Sequence, residues 1–233
     1  MTKYLGYQEI KRFLPDHACE VLAALCHVGF FERSVLIGSW AMFYYRAIYN
    51  IPFALVTSDI DMAVQFSVHE KNMGPVVDLE KVLQEAGATS DFSSDGLQRF
   101  IIPGFRIEFV VHDKGSRTKE SDIALVRQWN IHAQPLPFIR MLLDFSERID
   151  TDDFYVSIPI PEAFFFHKLI IAQRRRDSSK RGKDISQCRS LSGILDDKIL
   201  KLVAKSGNLG PQTKRQIQNS CEIIDFPYGR LGI

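Results

Sequence analysis

Two aspartates one residue apart, Asp59 and Asp61, are the side chains in this chain with the most chemistry to offer. On a β-strand, residues two apart project from the same face, so both carboxylates point together while Ile60 and Met62 turn to the core. Adjacent carboxylates repel each other unless a cation lies between them, and a divalent metal is the usual answer. Upstream, Gly38-Ser39 interrupts the apolar run Val35-Leu36-Ile37 and precedes an amphipathic segment over 40–48. A helix starting there presents free backbone N–H groups and the positive end of its dipole, both suited to a phosphate. A third acid, Glu108, sits in the apolar run 105–111, where Phe105, Ile107 and Phe109 take one face and Arg106, Glu108 and Val110 the other. Burying such an acid is costly unless it is partnered. A shared metal is one partner, if this strand lies beside that of Asp59 and Asp61; Arg99 or Arg106 is the alternative. Two divalent ions on clustered carboxylates serve the attacking and leaving oxygens in phosphoryl and nucleotidyl transfer.

The elements that must hold these groups follow from apolar spacing. Residues 8–31 read as one or two helices, interrupted at Pro15-Asp16 and stopped at Gly29. A strand, a Gly-Ser turn, a helix and the Asp59/Asp61 strand follow over 35–64. The spacing over 76–86 is again helical, and 99–102 and 105–111 form two antiparallel strands joined at Pro103-Gly104. Residues 131–134 add an edge strand, and Pro135, Pro137, Pro159 and Pro161 mark connections. Beyond 158 the pattern is helical over 162–176, 185–195, 197–204 and 212–223. The expected architecture is therefore α+β: a mixed β-sheet flanked by helices over residues 1–158, then a helical C-terminal domain over 159–233.

Composition leaves this reading open. With 233 residues, 45% hydrophobic and 24% charged, the chain can bury a sizeable core, and a net charge of +1 argues neither for nor against nucleic acid. Charge is concentrated instead in the run Arg174 to Lys183, six basic residues in ten, which suits a solvated helix end or a phosphate-bearing ligand. Cys19, Cys26, Cys188 and Cys221 have no metal-ligand spacing; Cys19 and Cys26, seven apart on one helix face, read as buried and reduced. No histidine has ligand spacing; His112 and His167 lie near the acidic and basic groups, where a structural role is the plainer account. No apolar run approaches about 18 residues, so a cytoplasmic protein without a membrane span is expected.

The joint pattern of Gly38-Ser39, Asp59-Ile60-Asp61 and Glu108 resembles the nucleotidyltransferases of the polymerase-β fold. The resemblance implies that Gly38 and Ser39 hold the β- and γ-phosphates of a nucleotide. It implies that Asp59, Asp61 and Glu108 bind Mg²⁺ (or Mn²⁺), with Glu108 also helping the acceptor hydroxyl lose its proton. Nineteen residues separate Ser39 from Asp59, against about ten in the family, so a segment near 49–56 must loop out. The stretch from His167 to Cys188 resembles the Lys-Leu…Arg and Lys-Asp-x-x-Asp motifs of abortive-infection-type nucleotidyltransferases of toxin–antitoxin systems. By that resemblance Lys168, Arg174 and Lys183 point at the triphosphate and Asp184 holds them, while Gln187 stands where the family has a second Asp.

The reading that follows is transfer of a nucleoside monophosphate from an NTP to a hydroxyl of RNA (a tRNA end), protein or a small molecule, with release of pyrophosphate. A cognate antitoxin or toxin is the partner the resemblance implies. The rival is a nucleotidyltransferase-fold binding module without catalysis. A nuclease using the same acids would leave Gly38-Ser39 unexplained.

Overall fold

In the computed structural model the described residues are 3–6, 9–10, 14–53, 57–65, 75–94, 96–113 and 123–233. Part of the expected loop, residues 54–56, and Phe13 of the expected first helix lie outside them. After β1 (Lys3–Tyr4), α1 (Asp16–His27) begins behind Pro15, buries Ala18, Val21, Leu22 and Leu25, and gives way to Gly29 at φ +75°. That left-handed backbone is one that glycine adopts without penalty. The chain continues through β2 (Ser34–Leu36), α2 (Gly38–Tyr49) and β3 (Asp59–Val64) to α3 (Leu79–Glu85). Next come β4 (Thr89–Phe92), β5 (Gln98–Ile102), β6 (Phe105–His112), β7 (Ala124–Val126) and β8 (Ile131–Leu136). Then follow α4 (Ile139–Asp144), β9 (Ser146–Asp150), β10 (Tyr155–Pro159), α5 (Pro161–Ala172), α6 (Ser178–Leu191), α7 (Asp197–Ser206) and α8 (Pro211–Ile224).

The main sheet is mixed, with order β2-β3-β6-β5-β4. Its axis is β6, long enough to change partners: Phe105–Glu108 pairs antiparallel with β5, while Val110–His112 pairs parallel with β8. On its other flank β6 runs parallel to β3 for six residues, and β2 closes the edge antiparallel to β3. A second, three-stranded sheet has the order β1-β9-β10, and its β10 packs against β2 of the main sheet. Mixed sheets flanked by helices and followed by a run of helices are the α+β architecture expected from the sequence.

Several boundaries differ from the expectation. β8 pairs antiparallel with β7 over Ile131–Ala133 and parallel with β6 over Gln134–Leu136, so it runs two residues past the expected 131–134. Pro135 falls inside it, opposite Val111, at a point where β7 no longer lies alongside; a missing N–H is tolerated there. Pro159 is the last residue of β10 rather than a connection. The helix expected over 162–176 ends at Ala172, and the next begins at Ser178 rather than 185. Asp177 starts it, its carboxylate accepting hydrogen bonds from the N–H groups of Ser179 (2.8 Å) and Lys180 (3.2 Å). The basic run is thus not one solvated end: it crosses a turn and enters α6.

α5 is apolar on nearly every side, with Phe164, Phe165, Phe166, Leu169 and Ile170 fully buried. A helix that is hydrophobic all round belongs in an interior. Here it packs against α6, α7, α8 and α4. The cysteines are all free; Cys19 is buried as expected, but Cys26 is only half-buried. Among the described residues, no helix is long and apolar enough to cross a membrane.

Candidate active site

Three tethers assemble the site. β2 pairs with β3 so that Leu36 lies opposite Met62, and the Ile37 N–H donates to the Asp61 carbonyl at 2.9 Å. The Trp40 indole N–H, one turn into α2, donates to the Asp59 carbonyl at 2.9 Å. These bonds bring the start of α2 over the first residues of β3. Ile37, at the N-cap position, supplies no side-chain cap, so the first N–H groups of α2 are open to another acceptor.

Gly38 is fixed by this approach. Its φ is +65°, and a β-carbon built there would lie 2.5 Å from Asp61 Oδ2. Only a residue without a side chain lets the carboxylate sit against the helix start.

The parallel register of β3 and β6 sets Asp59 opposite Arg106 and Asp61 opposite Glu108, so all four side chains rise from one face. Asp61 is half-buried. Burial raises its carboxyl to about 6, against the pull of Lys168; Glu108 and Asp59 push it further up, and Lys183 opposes them. Glu108 is turned to Arg99, Oε1 to Nε 2.8 Å, the arginine alternative that the sequence left open. Arg106 stands 3.9 Å from both Asp59 and Glu108. With the side chains so placed, no three acidic, histidine or cysteine groups among the described residues converge as a metal site. The oxygens of Asp59 and Asp61 remain a hard donor pair suited to Mg²⁺, and the packing of Asp61 on Gly38 holds one of them in place.

The opposite wall comes from α5 and α6. Lys168 Nζ donates to Asp184 Oδ1 at 2.6 Å, and Arg175 Nε donates to Asp184 Oδ2 at 3.0 Å. Burial works to raise the Asp184 carboxyl, but Lys168 and Arg175 outweigh it and hold it below the usual range. Lys183 is depressed by burial and by Lys168, partly offset by Asp61, Asp184 and Asp59. Between the two walls lies a cleft of about 250 Å³ bordered by Gly38, Ser39, Asp59, Asp61 and Glu108 on one side and Lys168, Lys183 and Asp184 on the other. Eight of the nine residues singled out from the sequence therefore meet.

Arg174 is the exception. Its guanidinium lies over the Phe138 ring, 4.7 Å from the centroid, and its Nε donates to Gln216 at 3.1 Å. Arg175 lines the cleft in its place, with Thr57, Lys180 and His167, none of which the sequence reading assigned to the site. Lys180 carried a legible signal: 180, 183, 184 and 187 share one face of a helix that starts at an Asp177 cap. Arg175 carried only its membership of the basic run; its side could not be read, because α5 ends at Ala172 and the helical phase is lost across the turn. Gln187, fully buried, donates from Nε2 to Ser39 Oγ at 3.3 Å and so links α6 to the start of α2.

No curated protein matches the sequence. Among solved structures the chain is similar to an antigenic nucleotidyltransferase-like protein from Paracoccidioides brasiliensis, with 12% identity, 94% of this chain and 88% of that chain covered, and a TM-score of 0.49. A family model described as nucleotidyltransferase matches residues 16–206. With most of its length matched in this way, the chain belongs to the nucleotidyltransferase family.

Proposed function

We propose that the chain transfers a nucleoside monophosphate from an NTP to a hydroxyl acceptor and releases pyrophosphate, using a divalent cation at Asp59 and Asp61. The observation that carries this is the placement of Asp61 and Glu108 in register beside the Gly38-Ser39 helix start, facing Lys168 and Lys183 across the cleft. Mg²⁺, when bound, neutralises the triphosphate and lowers the pKa of the attacking hydroxyl. The N–H groups at the start of α2 and the Ser39 hydroxyl grip phosphate oxygens. Lys168, Lys183 and Arg175 neutralise the rest, Asp184 holding Lys168 and Arg175 in place. Glu108 takes the acceptor's proton after leaving Arg99. Catalysis is then positioning plus electrostatics, with no covalent enzyme intermediate.

The test is incubation of the protein with Mg²⁺, each α-labelled NTP and cell extract, asking whether RNA, protein or a small molecule gains label. Asp59→Asn and Asp61→Asn are expected to remove transfer while leaving the circular dichroism spectrum unchanged; full activity in either variant ends the proposal. Nucleotide binding without pyrophosphate release would support the silent binding module instead. The proposal extends to the toxin–antitoxin setting implied by the Lys168–Asp184 motifs. Growth arrest on expression, relieved by Asp61→Asn, is the outcome that supports it.

A further inference from the structure

α5 carries three buried polar side chains, and two of them are satisfied by the protein. Glu162 accepts from the Asp196 N–H at 2.9 Å, and Lys168 is paired with Asp184 at 2.6 Å. The third is His167, only 8% exposed, with neither Nδ1 nor Nε2 bonded to any protein group among the described residues. Burying an imidazole with both nitrogens unmet costs stability that an apolar residue in this apolar helix would not. The ring borders the cleft, and the charges that act on it are Lys168, Asp184 and Arg175, the cationic wall opposite the acids.

Resting on the nucleotidyltransferase reading, we propose that His167 is a nucleotide-binding residue whose neutral imidazole N–H donates to a phosphate oxygen of the bound triphosphate. Burial and the neighbouring Lys168 hold the ring neutral, with a pKa lowered to about 3, so it enters as one donor and one acceptor. Lys168 and Arg175 supply charge to the same wall, but their side chains are committed to Asp184. His167 adds a directional bond from a ring that has nothing else to hold.

Calorimetric titration of the whole chain with Mg²⁺ and each NTP, and separately with inorganic triphosphate, reads this directly in wild type, His167→Phe and His167→Asn. The Phe variant is expected to bind both ligands about tenfold more weakly. In the same variant the unliganded melting temperature should be unchanged or higher, because an unmet polar group has been replaced by an apolar ring. Asn, which keeps a donor, should recover part of the affinity. A merely structural histidine predicts the reverse: lower melting temperature and unaltered affinity. Should Phe prove too large to fold, His167→Leu answers the same question. Wild-type binding that His167→Phe or His167→Leu leaves intact overturns the role of His167 alone. Absence of wild-type binding to every NTP and to triphosphate overturns the nucleotide reading and this role together.

Discussion

At the scale of single residues, the site depends on how close its charged groups come to backbone and to one another. Gly38 is the tightest case. A β-carbon there would need a left-handed backbone, costing about 1–2 kcal/mol, and would press on Asp61 Oδ2. Gly38→Ala is therefore expected to lower stability by about that amount in urea unfolding and transfer by about 100-fold, since small displacements of a catalytic group are that costly. His167 makes a pH prediction. Its folded pKa of about 3 lies below the ordinary 6.5, so between those values the unfolded chain binds a proton that the folded chain refuses. The folded state carries no protonation penalty from this ring above pH 6.5 and loses stability as the pH falls toward 3, at up to about 1.4 kcal/mol per unit. Thermal melts of wild type should show this acid sensitivity from just below pH 6.5, and those of His167→Phe should show less of it.

At the scale of elements, the link that matters is between α5 and α6. Lys168 and Asp184 are buried, and Arg175 from the connecting turn adds a second bond to the same carboxylate. Removing one partner strands a buried charge, so Asp184→Ala should cost about 3–5 kcal/mol in equilibrium unfolding. The double change Lys168→Met with Asp184→Leu should recover much of that loss. Recovery of stability without activity would mark the pair as retained for the ligand. The same two helices show how far element boundaries can be read. The start of α6 was encoded by the Asp177 cap, but the apolar residues that reveal a helix begin only at Ile185, because the earlier turns face the cleft and solvent. Pro135 misled for a related reason: a proline is compatible with a strand once one neighbour has ended, and only the sheet shows where that is.

At the scale of the whole molecule, the cleft is closed by parts far apart in the chain. Asp59 and Asp61 stand on β3, Glu108 on β6, and Lys168 and Lys183 on the C-terminal helices; Gln187 ties α6 to Ser39. A ligand touching both walls binds the folded state alone. Mg²⁺ with the cognate NTP at about 100 times its Kd should stabilise by about 2.7 kcal/mol. For a chain of this size that is a rise in melting temperature of about 5–11 °C. Scanning fluorimetry is expected to show it in wild type and not in Asp61→Asn; equal shifts in both would place nucleotide binding elsewhere.

The sequence by itself determined the local pieces: the Gly-Ser break before α2, the shared face of Asp59 and Asp61, the side of β6 on which Glu108 stands, and the apolar character of α5. Each depends on neighbours within a turn or a strand period. Only the tertiary structure decided what faces what. The register that sets Glu108 beside Asp61, the choice of Arg175 over Arg174, and the enclosure of His167 arise from contacts between segments far apart along the chain, which no local spacing contains.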